Sequence, residues 1–322
     1  MPPRRPALIN FLTRIPRLGG PVRNAHDAWL RRRIDNYWRS DDAARRLFAA
    51  HHPVLSETQR RVLADLTATG IAQAHFDELF PNRHWWHALS AQAHEWLGSD
   101  PIKEKERKYL ADNHREAKWK EYIIMMTAES GEIFSIDHPL LQLGLQSTIL
   151  DLVNSYFGMM ARLFHLDVWK TIPTANGGPL TGSQRWHRDP EDLKLVKVFF
   201  YLTDVDETAG PLHYIKYSRR GDKYGNLWPQ KLPYGSVAPA DEVEVTAPRK
   251  DWAVCAAPAG TLVFADTTGL HMGGRATGNE RVFATWGFAS HGTVWPRYFK
   301  LTSRIVPAEL SMAARYALAE RA

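Results

Sequence analysis

The stretch that decides the fold is Leu195-Val-Lys-Val-Phe-Phe-Tyr-Leu202. Apolar residues occupy both of its alternating faces, which predicts a strand that is covered on both sides. Three further β-rich runs, at 163–172, 260–266 and 281–288, are separated by turn signals such as Gly210-Pro211. Many short strands divided by turns favour a sandwich or a barrel.

Helical patterns precede this β-rich half of the chain. Apolar residues recur at helical spacing between 25 and 50, and Ser56 with Gln59 has the spacing of a capping box for a helix that ends at Thr69-Gly70. Further helices are expected at 84–97, from 100 to about 110, and from Pro139 to Phe157. The two halves together predict an α+β fold, in which N-terminal helices buttress a double-stranded β-helix, the cupin-like jelly roll.

Metal-binding residue types stand in His187-Arg-Asp189, at the end of a strand-like segment, and His271 follows 82 residues after Asp189. Because residues two apart on a strand point to the same side, His187 and Asp189 should face the interior while Trp186 and Arg188 face away. His271 could join them from a strand across the cavity. Two imidazoles and one carboxylate can hold Fe(II) and leave positions for a chelating 2-oxo acid and O₂.

Arg281 follows His271 by ten residues and starts the next β-rich run. A guanidinium at this place could bind a carboxylate through two parallel hydrogen bonds, which a lysine would do less well. The alternative for His187 is a hydrogen-bonded strand histidine, and the alternative for Arg281 is a surface ion pair. The order and spacing of these residues within β-rich segments favour a site for a metal and an acidic cosubstrate.

Three segments carry a family resemblance: Gln184-Arg-Trp-His-Arg-Asp-Pro-Glu-Asp192, then 197–206 with Gly210-Pro-Leu212, then 260–266 with His271-Met-Gly-Gly274 and Arg281. Together they resemble the phytanoyl-CoA dioxygenase (PhyH) family of Fe(II)- and 2-oxoglutarate-dependent oxygenases. The resemblance covers roughly residues 160–290 and is less clear over the preceding helices. The combination of these motifs is specific, whereas each motif alone is common.

The resemblance implies roles for individual residues. The positions that match the family's iron ligands are His187, Asp189 and His271. Arg281 matches the arginine that binds the C5-carboxylate of 2-oxoglutarate, and Tyr201 and Gln184 are further candidate contacts of this cosubstrate. The implied reaction is hydroxylation of an organic small molecule, with consumption of O₂ and release of succinate and CO₂. Related halogenases have a small residue where this chain has Asp189, so hydroxylation is expected rather than halogenation.

Two departures from the family pattern concern the cosubstrate and the substrate. Gly273 stands where a hydroxyl residue could have helped to bind 2-oxoglutarate, and residues 214–219 replace the usual Pro-Gly-Ser-His turn near the substrate entrance. The substrate therefore stays open. Two other functions also stay open: a non-enzymatic jelly-roll binding or sensor protein, and a cupin-type metalloenzyme that does not use 2-oxoglutarate. Neither of them needs a cation at Arg281.

The expected organisation has two parts. We assign residues 1–50 to a basic N-terminal arm and helix, and residues 51–322 to a single catalytic domain. Within that domain we expect a helical part at 51–160, a jelly-roll core at 160–300 and a C-terminal helix at 305–322 that Pro307 opens.

The charge of the chain is concentrated at its start. Residues 1–46 contain eleven arginines, no lysine and four acidic residues, a net charge of +7, whereas the whole chain carries +6. This arm could contact another subunit or an acidic surface, or could form a solvated basic helix; nothing accompanies it that resembles a nucleic-acid-binding motif.

The expected cellular location of the protein depends on membrane-spanning, secretory and disulfide signals in the sequence. It shows no apolar run of 18 residues and no secretory signal, so no transmembrane helix is expected. Its single cysteine, Cys255, cannot form an internal disulfide bond. We expect a cytoplasmic enzyme that acts on a small molecule.

Overall fold

The structure is a computed structural model that describes residues 19–40, 42–111, 122–173, 180–303 and 306–320. Residues 1–18 of the arginine-rich arm, whose contact with another subunit or an acidic surface was considered above, lie outside these ranges. No helix in the described ranges is long and apolar enough to cross a membrane.

The helices of the described ranges precede, flank and follow the sheets. They are α1 (Gly19–Ser40), α2 (Asp42–His51), α3 (Glu57–Thr69), α4 (Phe76–Leu79), α5 (His84–Gly98), α6 (Asp100–Ala111), α7 (Met126–Glu129), α8 (Pro139–Gly144), α9 (Ser147–Phe157), α10 (Ala240–Thr246) and α11 (Met312–Leu318).

The strands form two antiparallel sheets. The large sheet has the order β1 (Ile71–His75), β9 (Thr261–Ala265), β5 (Val196–Tyr201), β11 (Arg281–Ala289), β3 (Arg162–Thr171) and β2 (Ile123–Met125). The small sheet has the order β7 (Ser236–Val237), β4 (His187–Arg188), β10 (His271–Gly273), β6 (Leu212–Ile215) and β8 (Trp252–Val254). Tyr201 of the large sheet and Tyr214 of the small sheet belong to one buried cluster, so the sheets face each other as the layers of a jelly roll.

The alternation in β5 has the structural meaning that the sequence predicts. Val198 and Phe200 are fully buried in the main core together with Leu150 and Val153 of α9. Phe199 and Tyr201 lie on the opposite face and pack in the cluster between the two sheets. Both faces of the strand are therefore covered, one by helices and the other by the small sheet. The predicted α+β jelly roll with supporting helices is confirmed.

The predicted ends of α3 are also confirmed. Ser56 Oγ accepts a hydrogen bond from the backbone N–H of Gln59, and the Gln59 side chain accepts one from the backbone N–H of Ser56. Gly70 ends the helix in the left-handed conformation, with φ of 89°, which suits a residue without a Cβ. The expected helices near 84–97 and 100–110 are present as α5 and α6.

The single helix expected from Pro139 to Phe157 is wrong, because two helices, α8 and α9, occupy this stretch. The indole N–H of Trp286 donates to the carbonyl of Leu140 at 2.7 Å. A Cβ on Gly144 would lie only 2.4 Å from Trp286 Cδ1, so the tryptophan packs directly on the end of α8. The chain then becomes extended at Gln146 before α9 begins.

The prediction that Pro307 opens the last helix is wrong as well. The helix α11 begins at Met312, and Ser311 is its N-cap, because the Ser311 hydroxyl accepts a hydrogen bond from the backbone N–H of Ala314. A serine that accepts from a free helical N–H stabilises a helix start more directly than a proline several residues earlier.

Candidate metal centre

The small sheet brings three candidate ligands together. His187 and His271 are cross-strand partners on β4 and β10, and their ring centroids lie 4.1 Å apart. Asp189 directly follows β4, with Oδ1 3.7 Å from His187 Nε2 and Oδ2 3.5 Å from His271 Nε2. One potential ligand atom from each residue lies within 4.8 Å of the others. Among the described residues this is the one group of three or more metal-binding side chains with such spacing.

Backbone carbonyls orient both imidazole rings in the same way. His187 Nδ1 lies 2.8 Å from the carbonyl oxygen of Arg185, and His271 Nδ1 lies 3.0 Å from that of Gly269. A carbonyl can only accept, so each Nδ1 carries the proton and each Nε2 carries the lone pair. The second hydrogen bond of a metal-binding histidine is usually of this kind.

The protonation states of the buried groups suit a divalent cation. Burial lowers the pKa of His271 to about 3, an effect that the neighbouring His187 reinforces, so the imidazole is neutral near pH 7. Burial alone would raise the pKa of Asp189, but the adjacent Lys197 ammonium holds it well below its usual value. A neutral imidazole and an ionised carboxylate are the forms that bind metal ions.

The residues on either side of His187 point away from the centre, as the strand alternation predicts. Trp186 packs edge-on against Trp252 on the outer face of the small sheet, with ring centroids 4.9 Å apart. The Arg188 side chain is also buried on that side. Its guanidinium donates to five backbone carbonyls, those of Ser218, Tyr224, Leu227, Trp228 and Thr268.

The segment after β4 is fixed by contacts from distant parts of the chain. The backbone N–H of Asp189 donates to the carbonyl of Thr267 at 2.9 Å. The Gln230 side chain donates to the carbonyls of Asp189 and Asp192. The buried Asp192 carboxylate accepts from the Trp38 indole of α1 at 2.6 Å and from the Ser290 hydroxyl and backbone N–H. The N-terminal helix thus contacts the segment that carries Asp189.

A second group of polar residues lies at the start of β11. Arg281 is 5% exposed, and its cross-strand partner on β3 is Thr171. Within the described part of the chain, Arg281 Nε and Thr171 Oγ1 are both buried without a hydrogen-bond partner. Tyr201 lies within hydrogen-bonding reach of the guanidinium, and its hydroxyl donates to the carbonyl of Cys255 at 2.8 Å.

Tyr122 and Ser183 also lie in this region, and neither was singled out from the sequence. Their hydroxyl oxygens are 2.8 Å apart, and burial raises the pKa of Tyr122 while the nearby Arg281 charge lowers it. A Cβ on Gly273 would be 3.8 Å from Arg281 Nη2 and 3.7 Å from the carbonyl oxygen of Ser183. Gly273 therefore lies beside Arg281 and the Ser183 segment and contributes no hydroxyl group of its own.

The structure places the remaining predicted contact, Gln184, differently. This residue is buried in a short 3₁₀ turn, Gly182–Gln184. Its Oε1 lies 3.3 Å from the backbone nitrogen of Thr181, from which it accepts a hydrogen bond within its own turn. The structure thus brings together His187, Asp189 and His271 in one place and Arg281 with Tyr201 in another, and shows Gln184 as a turn residue.

The inner face of the large sheet is partly exposed to solvent. Four residues of central strands point into the cavity between the sheets and are only half-buried: His165, Trp169, Lys197 and Phe199. Aromatic rings form much of this wall, since Trp169 and Phe199 both pack against Phe283, with ring centroids 5.6 and 6.0 Å from it. The cavity therefore has a mainly apolar wall close to Lys197, which contacts Asp189.

Comparison with known proteins agrees with this geometry. The sequence profile of "Phytanoyl-CoA dioxygenase (PhyH)" matches residues 27–282. A search of curated protein sequences finds no match.

Several solved structures are similar to this chain. The epimerase SnoN in complex with Fe³⁺, α-ketoglutarate and nogalamycin RO is 15% identical, with a TM-score of 0.47 over 78% of this chain and 91% of that chain. HygX from Streptomyces hygroscopicus with nickel and 2-oxoglutarate is 14% identical, with a TM-score of 0.46 over 80% and 94%. The carbocyclase SnoK is 16% identical, with a TM-score of 0.45 over 74% and 85%. With a family match that extends over most of its length, the chain belongs to the phytanoyl-CoA dioxygenase (PhyH) family.

Proposed function

We propose that this iron- and 2-oxoglutarate-dependent enzyme hydroxylates an organic small molecule, with His187, Asp189 and His271 as its iron ligands and Arg281 as the residue that binds the cosubstrate. Family membership supports the cofactor and the cosubstrate. The finer parts of the proposal, which are the individual ligands and the hydroxylation, rest on the chemistry of the side chains in the cavity.

The observation that carries the proposal is the buried pair Arg281 and Thr171. A buried guanidinium without a carboxylate partner is costly, and a buried hydroxyl without a hydrogen-bond partner adds to that cost. Both groups lie on the same face of the large sheet and have atoms without a partner within the described residues. A carboxylate group of 2-oxoglutarate would accept hydrogen bonds from both groups. Its binding here would agree with a triad whose two imidazoles and one carboxylate suit iron.

The residues of this chain would then have separate tasks. The two imidazoles and the Asp189 carboxylate would hold iron, which when bound supplies the activation of O₂ at the expense of cosubstrate decarboxylation. Arg281, Thr171 and Tyr201 would hold the distal carboxylate of the cosubstrate. The aromatic wall formed by Trp169, Phe199 and Phe283 would exclude water and hold the substrate carbon near the metal.

The first test measures binding of the metal and the cosubstrate. Anaerobic protein with Fe(II) and 2-oxoglutarate should develop a weak visible charge-transfer band, and His187→Ala should remove both the band and turnover. His213→Gln is the matched control, because His213 lies on the neighbouring strand β6 and contacts Trp186 on the outer face. A normal band in His187→Ala, or no band in the correctly folded wild type, would refute the metal assignment.

A second test separates hydroxylation from other oxidations. Turnover under ¹⁸O₂ should release succinate and place one labelled oxygen in the product. A product of unchanged mass, as expected from an epimerase, or one that has lost two hydrogens would refute hydroxylation while it leaves the cosubstrate assignment intact. Product formation without any requirement for 2-oxoglutarate would instead favour the cupin-type alternative, and metal binding without turnover of any substrate would favour a sensor.

The substrate and the cellular context complete the proposal. We propose a substrate with a sizeable apolar or planar part, because the half-buried wall of the cavity is aromatic. We further propose that residues 51–322 act as one catalytic domain, that the protein works in the cytoplasm, and that the basic arm contacts another subunit or an acidic surface. Gln184 and Tyr201 stay proposed as cosubstrate contacts; Tyr201 is supported by its position beside Arg281.

A further inference from the structure

We propose that Lys197 is a positioning residue, which holds one oxygen of the Asp189 carboxylate so that the other oxygen is presented to the metal. The proposal rests on the proposed function, since it assumes that the triad binds a metal ion. It assigns a task to a partly buried lysine whose sequence position, within a strand of apolar and aromatic residues, carries no metal-binding motif.

The position of Lys197 in the large sheet allows its side chain to extend across the cavity. Its cross-strand neighbours are Ala265 on β9 and Gly287 on β11, two of the smallest residues. They leave space above the sheet beside the lysine. The side chain thus reaches the opposite side of the cavity, where Nζ lies 2.6 Å from Asp189 Oδ2 and 3.8 Å from Glu191 Oε1.

The Asp189 side chain depends on this contact more than its backbone does. Thr267 and Gln230 fix the backbone of Asp189 through hydrogen bonds to its N–H and its carbonyl. Among the described residues, Lys197 is the one hydrogen-bond donor to the carboxylate itself. A carboxylate with one oxygen held by an ammonium group has the other oxygen free, which favours ligation through a single atom and leaves more metal positions for cosubstrate and O₂.

The positive charge of Lys197 has an effect on metal affinity opposite to that of its positioning contact, and the two effects have to be separated. An ammonium close to a divalent cation repels it, so removal of the charge could by itself tighten metal binding. Glu191 lies beside Lys197 and offsets its charge. A variant that removes both charges, Lys197→Met/Glu191→Gln, therefore removes the positioning contact without changing the net charge near the metal.

The experiment is anaerobic titration of the full-length protein with Co(II), followed by its visible d–d absorption. Loss of a residue that orients a metal ligand typically weakens metal binding by about 10–100-fold. We expect a loss of this size, with an altered absorption envelope, in Lys197→Met and in the double variant. Lys170→Met is the matched control, because Lys170 also lies between two carboxylates, those of Glu106 and Glu280, and this variant should bind Co(II) like the wild type.

The other outcomes are equally decisive. Unchanged affinity and spectrum in Lys197→Met would overturn the proposal, and so would tighter binding in Lys197→Met with wild-type binding in the double variant, which would show a purely electrostatic role. If Lys197→Met does not fold, as judged by its thermal unfolding, Lys197→Gln replaces it with the same expectations. Equal Co(II) binding by the wild type and His187→Ala would instead show that the triad assignment, and not the role of Lys197, is wrong.

Discussion

At the scale of the residue, the buried Arg281 has no carboxylate partner among the described residues. The guanidinium is buried between the sheets, and burial lowers its pKa while the adjacent Tyr201 opposes that shift. Within the described part of the chain, neither its Nε nor the Thr171 hydroxyl has a hydrogen-bond partner. The Phe283 ring and Tyr201 contact the guanidinium, but no carboxylate of the described residues forms an ion pair with it, so the buried cation favours an acidic ligand.

Arg281→Ala should chiefly raise the requirement for 2-oxoglutarate. Truncation of one partner of a buried charge pair costs about 2–5 kcal/mol, so the KM for 2-oxoglutarate should rise roughly 30-fold or more. Thr171→Val, which removes a neutral hydrogen bond worth about 0.5–1.5 kcal/mol, should raise it only about 2- to 10-fold. Succinate release at varied 2-oxoglutarate measures both effects. An unchanged KM in Arg281→Ala would show that the cosubstrate carboxylate binds elsewhere.

At the scale of the element, two very short strands carry most of the site. The strand β4 has two residues and β10 has three, too few for their backbone hydrogen bonds alone to fix three side chains. Arg188 compensates from the outer face, because its five hydrogen bonds join β4 to the irregular segment 218–228 and to Thr268, which lies shortly before β10. The residue between two candidate ligands therefore has a structural task.

Arg188→Met should loosen this segment without removing any candidate ligand. Several buried carbonyls would lose their donor, at about 1–3 kcal/mol for each group that stays unsatisfied. We expect faster hydrogen–deuterium exchange across 217–228 and a free energy of unfolding that is lower by several kcal/mol. Arg220→Met is the control, since Arg220 is exposed in the same segment. Equal exchange in Arg188→Met and the wild type would contradict the structural role.

At the scale of the whole molecule, stability depends on carboxylates buried between layers. Asp167 lies on the face of the large sheet that carries Trp169. It accepts hydrogen bonds from the Thr127 hydroxyl and backbone N–H and from the backbone N–H of Val168. Burial raises its pKa to about 6, well above the ordinary value of an aspartate, although these hydrogen bonds act in the opposite direction. The native state thus binds a proton that the unfolded state has already lost.

The free energy of unfolding should accordingly fall as the pH rises from about 4 to about 6, because the native state binds more protons than the unfolded state in this window. A shift of about two pH units corresponds to a contribution of about 3 kcal/mol at most. Asp167→Asn removes this titration, so its stability relative to the wild type should rise by up to that amount across the window. Urea unfolding with EDTA between pH 4.5 and 7 measures it. A difference between the two proteins that does not vary with pH would contradict the raised pKa.

The sequence by itself determined the local structure and the list of candidate residues. Three features follow from patterns of a few neighbouring residues: the alternation in β5, the capping box of Ser56 and Gln59, and the start of β11 at Arg281. These patterns predict structure because the interactions that produce such features join residues close together in the sequence. Strand alternation also predicted that His187 and Asp189 face inward and that Trp186 and Arg188 do not. Family motifs supplied His271, although sequence spacing alone could not place it.

Only the tertiary structure decided what meets across the chain. Trp286 donates a hydrogen bond to Leu140, which lies 146 residues before it, Thr171 lies beside Arg281, and Lys197 reaches Asp189 from the opposite sheet. Each of these contacts joins segments that are far apart in sequence. Their distance in space cannot be read from the sequence, because strand register and the packing of the sheets determine it. Local patterns therefore determined which residues could act, and the packing of the two sheets determined which of them act together.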